Sequence, residues 1–264
     1  MDVPFDVIKL IARYTVKCKM KLLNWISLDN LDWVILSVNP NAIDLLESNQ
    51  DKINWLKLSE NPNGIHLLEA NPDKICWAYL SHNQNAMDLL EANQNKIDFD
   101  FFSSNPNSID FLTANPDKIR WGWLSPNYNA IELLKANQDK INWEILSRNP
   151  NAIDLLKANP DRIHWYNLSS NPNAMDLLEA NLDKIKWEYL SMNPNAMDLL
   201  EANPDKIYWK NLSRNGKAIH ILKDNINKID WYYLSCNPSI FEPDVDLINK
   251  AISIQAMRLG PIIN

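Results

Sequence analysis

The chain reads as an all-α solenoid of short two-helix units, each of 22 residues, with helical segments capping the two ends. Three observations predict this. Trp33, Trp55 and Trp77 are 22 residues apart, and the spacing continues through Trp121, Trp143, Trp165, Trp187, Trp209 and Trp231, with Phe99 in the one gap. A fixed period of about 20–50 residues marks a repeat architecture. Two asparagine columns, Asn39 to Asn237 and Asn49 to Asn225, keep the same period without exception. Between them, apolar residues recur at helical spacing, as in Ala42, Ile43, Leu45 and Leu46, then Ile53, Trp55 and Leu58.

Residues 1–32 do not share the period. Pro4 introduces a helix carrying Val7, Ile8, Leu10 and Ile11, and a basic stretch from Lys17 to Lys21 follows. The simplest expectation is an N-terminal cap over the first repeat. Residues 33–238 hold nine full copies of W-x-x-L-S-x-N-P-N-A-I-D-L-L-E-A-N-P-D-K-I-x and the start of a tenth at Trp231. Asn before Pro is a helix start: the Asn side chain accepts from a free N–H in the first turn, and Pro is pre-organised for the next position. Each copy therefore predicts one helix near Pro40–Ser48 and another near Asp51–Ser59. Such short helices persist only by stacking on neighbours. At about 8–10 Å between packed helices, nine units would form a rod or arc about 80–90 Å long. Residues 239–264 predict a C-terminal helix, entered through Pro243 and covering the last repeat.

Composition narrows function more than it names it. A 264-residue chain with 46% hydrophobic and 22% charged residues is globular. Its net charge of −7 argues against a nucleic-acid backbone binder, which shows a basic face. Three scattered cysteines fit a reducing compartment. No apolar run is long enough for a membrane span, and no signal-peptide core follows Met1. Asparagine accounts for 37 residues, chiefly through the two columns and the second Asn of N-P-N.

The recurring residues are expected to be scaffold: the Trp column as inter-repeat core, both Asn columns as caps, with amide hydrogen bonds shared between neighbouring repeats. The basic column, Lys52 to Lys228 with Arg162 among its members, is expected to pair with the acidic column of Asp44, Asp88 and Asp110. A basic stripe for an acidic ligand is its alternative. The four histidines form no ligand cluster, and no phosphate loop, nucleophile elbow or zinc-helix motif occurs. No metal, no cofactor and no enzymatic activity are expected.

Specificity in a repeat protein is expected in the columns that vary, and four do. They begin at Asn54, Leu56, Lys57 and Glu60. Spacing of three and four residues places the first with the third on one face and the second with the fourth on another. The third is rich in aromatics. Tyr79, Phe101, Trp123, Tyr189 and Tyr233, flanked by Arg120, Lys186 and Tyr208, are the candidate partner-binding residues, since exposed aromatics beside mixed charge mark protein interfaces. Filling of gaps between repeats is the competing role.

The unit N-P-N-A-I-D-L-L-E-A-N-P-D-K-I-x-W-x-x-L-S resembles a repeat family of large and giant DNA viruses over residues 33–238, with about fourteen of twenty-two columns agreeing. Residues Pro4, Ile8, Ile11, Leu22 and Leu23 resemble a degenerate F-box, although Val3 stands where the motif has Leu. The two resemblances imply the cytoplasm of an infected cell, or a virion, as setting, and a host protein as partner. They further imply docking to a ubiquitin-ligase adaptor through Pro4, Ile8 and Ile11. A structural or assembly scaffold without ligase contact is the alternative, and a nucleic-acid reader a more distant one.

Overall fold

A computed structural model describes the backbone of Val7 and residues 18–263, and side chains through residue 257 apart from that of Ala256. The protein is an all-α repeat solenoid of short helices. In each unit a Trp-led helix such as Trp33–Leu36 is followed by a 3₁₀ turn, Pro40–Ala42, which runs into a Leu-rich helix, Ile43–Glu47. A second 3₁₀ turn, Gln50–Lys52, leads to the next Trp helix, Trp55–Glu60. The helix expected over Asp51–Ser59 is thus interrupted. Ile53 and Asn54 are extended, and Asn54, not Asn49, caps the helix by accepting from the Lys57 N–H.

The two Asn columns do different work. In the first, the Asn39 Oδ1 accepts from the Asn41 N–H, as an N-cap does, while its Nδ2 is free to reach a neighbouring unit. In the second, Asn49 makes no side-chain cap. Its Nδ2 donates back to the Leu45 carbonyl, satisfying an orphan acceptor at the end of the preceding helix, and the eight later members repeat that bond. Capping accounts for the first column, and helix termination for the second.

The shared amide bonds form a continuous ladder. The Asn61 Nδ2 donates to the carbonyls of Ser37 and Asn39 in the unit before it, and every later member does the same at 2.7–3.1 Å. Asn39, the first member, makes the same two bonds to Ser235 and Asn237 of the tenth unit, both at 3.0 Å. The serine column closes in parallel. The Ser37 Oγ takes the backbone N–H of Asn54, the cap of the next Trp helix, and donates to the Trp33 carbonyl of its own helix. Ser235, in the last unit, takes the N–H of Asp32 at 2.9 Å.

The solenoid is therefore a closed ring of ten units. Head-to-tail contacts close when the rotation per unit divides a full turn, here about 36° per unit. Ten helices about 9 Å apart give a circle of radius about 14 Å, so the contour length expected for an arc becomes a circumference. The core runs round it unbroken: Leu36 of the first unit and Leu234 of the last are both fully buried, as are Leu46, Leu134 and Leu222. The edge of the tenth unit, which the C-terminal helix was expected to cover, is taken by the first. That helix is present as Val245–Ile263.

The seam is one unit assembled from both ends of the chain. Residues 231–240 supply its Trp helix and its Pro238–Ile240 turn. Ser27–Asp32, assigned by sequence to the non-repeating segment, supply the second turn and the cap, with Leu31 buried where Ile53 stands one unit on. Strand β1 (Met20–Leu22) pairs antiparallel with β2 (Phe241–Pro243), Lys21 opposite Glu242. Leu23 N–H donates to the Ile240 carbonyl, and Asp244 N–H to that of Lys19. Of the F-box-like residues, Leu22 and Leu23 lie in and just beyond this strand. Pro4, Ile8 and Ile11 fall outside the described residues.

A candidate binding face around the ring axis

The columns kept constant build the ring. The Trp side chains are half-buried and pack against the core by one face. The other face carries the basic residue nineteen positions later: Lys52 lies 4.5 Å above Trp33, Lys140 4.4 Å above Trp121, and all nine members of the column lie 4.4–5.9 Å above a ring. This corrects the expected pairing with the acidic column. An exposed lysine gains about 0.5–1 kcal/mol over a Trp face and keeps its head in water, whereas an exposed ion pair contributes less and requires both side chains to be ordered. Asp44 instead meets the seam, where it accepts from the Met20 N–H at 2.9 Å and binds the Lys19 ammonium at 2.6 Å. That bond, stronger than the cost of partial burial, raises the Lys19 pKa above its usual 10.5.

The variable columns face elsewhere. One cavity of about 370 Å³ is lined by Val38 of the first unit and Tyr128 of the fifth, with Glu60, Pro62, His82 and Ser104 between them. Another, of about 260 Å³, takes Arg148 from the sixth unit and Tyr233 from the tenth. In a ring, side chains of units four apart converge only toward the axis, because outward-pointing ones diverge. The Tyr128 hydroxyl likewise donates to the Gln84 Oε1 two units back, at 3.2 Å. The columns of Glu60 and of the N-P-N proline therefore surround the axis.

The second cavity also collects the other variable columns: Tyr208 from the first, Glu188 and Lys210 from the second, Tyr189, Asn211 and Tyr233 from the third, and Arg148, Met192 and Arg214 from the fourth. Sequence spacing divided these columns between two faces, but the structure brings all four to one. The short Trp helix permits this: with only four to six residues, nearly every position ahead of the buried Leu borders the same side.

The expected partner-binding residues fall into two groups. Tyr79 and Phe101 stack with ring centres 5.4 Å apart, Phe101 and Trp123 at the same distance, and Lys57 covers Tyr79 at 5.2 Å. This run crosses four units, half-buried at Tyr79 and Phe101 and 47% exposed at Trp123. These rings fill gaps between units and still present their edges. Arg120, at the cap of the Trp121–Leu124 helix, lies 3.3 Å from Asp100 of the preceding Phe99–Ser103 helix. In the second group Tyr189 meets the ring of Tyr166 edge-on, and Lys186 covers Tyr166 at 4.9 Å. Tyr208 and Tyr233 border the second cavity.

Arg148, Lys210 and Arg214 were not singled out by sequence. Their columns were recognised as variable, but only the ring geometry places them together. Among the described residues no group of three His, Cys, Asp or Glu side chains could hold a metal ion, and no helix is long and apolar enough to cross a membrane. No protein-family model, curated protein or solved structure matches the chain.

Proposed function

We propose that the protein is a non-enzymatic binding ring whose axial face holds a segment of another protein. One observation carries this reading: side chains from all four variable columns border one axial cavity, while the constant columns are used in building the ring. The Tyr79–Phe101–Trp123 run offers an aromatic strip with one open end, the kind of anchor on which protein contacts concentrate. The setting implied by the repeat resemblance is a virus-infected cell with a host protein as partner. The F-box-like Pro4, Ile8 and Ile11 would link the ring to a ubiquitin-ligase adaptor.

Two experiments test it. Panning a random peptide display library on the purified chain should enrich a sequence class whose binding falls by about tenfold or more in Trp123→Ala, the loss typical of an interface anchor. Failure to enrich any class, or enrichment indifferent to Trp123 and Phe101, removes the reading. For the adaptor link, binding of the intact chain to the adaptor should be lost in Ile8→Asp with Ile11→Asp while the ring still melts cooperatively. A wild-type chain that does not bind the adaptor ends that part alone.

A further inference from the structure

The axial surface is electrically uneven. Where the first cavity carries Glu60 and His82, the second carries Arg148, Lys210 and Arg214, in a chain of net charge −7. Among the described residues none of these three cations forms an ion pair. Lys210 and Arg214 flank the same ring, Tyr233, at 5.0 and 5.2 Å from its centre, which holds the two charges within about 10 Å of one another. Arg148, three units away, reaches the same space and also lines an adjoining cavity with Arg214. Tyr189, Tyr208 and Tyr233 border it as well. Glu188 is the one carboxylate there, and it leaves the local balance positive.

Holding cations together without a counter-charge costs electrostatic free energy, and the contacts of Lys210 and Arg214 with the Tyr233 face neutralise neither charge. A ligand that pairs all three removes that cost. We propose that this sector of the axial face is a binding site for a small oligophosphate. Guanidinium groups bind phosphate through two parallel hydrogen bonds, and an ammonium serves as a point charge beside them. Tyrosine hydroxyls add neutral donors to the remaining oxygens. A single carboxylate has only two oxygens and one charge, too few for two arginines and a lysine set in two units three apart. A cavity of about 260 Å³ has room for a short phosphate chain. A ring that captures no peptide can still hold this anion, so the two readings fail separately.

The test is calorimetric titration of the purified chain with sodium tripolyphosphate and with ATP at low salt, with hexaglutamate as the carboxylate comparison. Tripolyphosphate and ATP separate a free phosphate chain from one carried by a nucleotide, and saturable binding of either through both arginines supports the site. Arg148→Gln and Arg214→Gln should each weaken it about tenfold or more, the loss expected for a hydrogen bond to a charged group. Lys157→Gln, at an exposed position on a Leu helix, should leave it unchanged. Because both arginines are exposed, melting curves should show the variants folded. Absence of saturable binding, undiminished binding in both arginine variants, or equally tight binding of hexaglutamate overturns the proposal.

Discussion

Replacing Asn39 by alanine separates a ring from an arc. In the ring Asn39 is fully buried, donates to the carbonyls of Ser235 and Asn237, and accepts from the Asn41 N–H. The substitution leaves two buried acceptors and one donor without partners. At about 1 kcal/mol for each bond lost, the cost is about 3 kcal/mol, well above the ~1 kcal/mol of ordinary cap loss. Asn127, on the far side, makes the equivalent three bonds to Ser103, Asn105 and Asn129. The two variants should therefore cost the same, to within about 0.5 kcal/mol. In an open arc Asn39 would keep only its cap, and the costs would differ by about 2 kcal/mol. Urea unfolding followed by Trp fluorescence, with one slope shared across the variants, measures both. Asn39→Ala costing about 1 kcal/mol beside Asn127→Ala at about 3 kcal/mol would refute the closure.

Three further outcomes are expected. Ser147→Ala removes the acceptor of the His164 N–H and the donor to the Trp143 carbonyl, and should cost about 2 kcal/mol in the same assay. A loss under about 0.5 kcal/mol would mean that water replaces both bonds. Lys140→Met should leave the fold intact, cost about 0.5–1 kcal/mol, and change the emission of Trp121, because it removes the cation 4.4 Å from that ring. An unchanged spectrum would contradict the stacking. The seam should weaken in alkali. The Lys19 pKa is raised in the folded chain, so its contribution is complete below the unfolded value of 10.5 and is lost as pH rises through the higher folded value. Lys19→Met should show less of this alkaline loss, and an identical profile would remove the seam pair from the account.

Much of the ring was legible. The tryptophan spacing gives the unit, and Asn39 followed by Pro40 marks a helix start. Asn49 was misread because Asn followed by Gln or Pro looks the same whether its amide serves the helix ahead or the one behind. The basic column was misread because sequence shows charge order but not that nineteen residues bring Lys52 over Trp33. Closure left a trace that went unread. Ser27-Leu28-Asp29-Asn30-Leu31-Asp32 matches Asn49-Gln50-Asp51-Lys52-Ile53-Asn54 in its acidic residue, its buried aliphatic and the cap before the Trp helix, and the tenth unit keeps only its first ten residues, to Ile240. A partial unit at each end is the pattern of a ring whose seam is shared. Arg148 and Arg214 could not be placed together from sequence, since convergence toward an axis depends on curvature, and curvature depends on the sum of small rotations between units.

The most direct test of closure is a disulfide across the seam. Lys21 and Glu242 are directly opposed in the β1–β2 pair and both exposed. Opposed residues of antiparallel strands have Cα atoms about 4.5–5.5 Å apart, within reach of a disulfide. With Cys18, Cys76 and Cys236 replaced by serine, Lys21→Cys with Glu242→Cys should oxidise fully in the monomer. The bridge should raise stability by up to about 5 kcal/mol, because it closes a loop of more than 200 residues in the unfolded chain. Thiols that stay reduced in the monomer, or that bridge only between molecules, would show that the two ends do not meet.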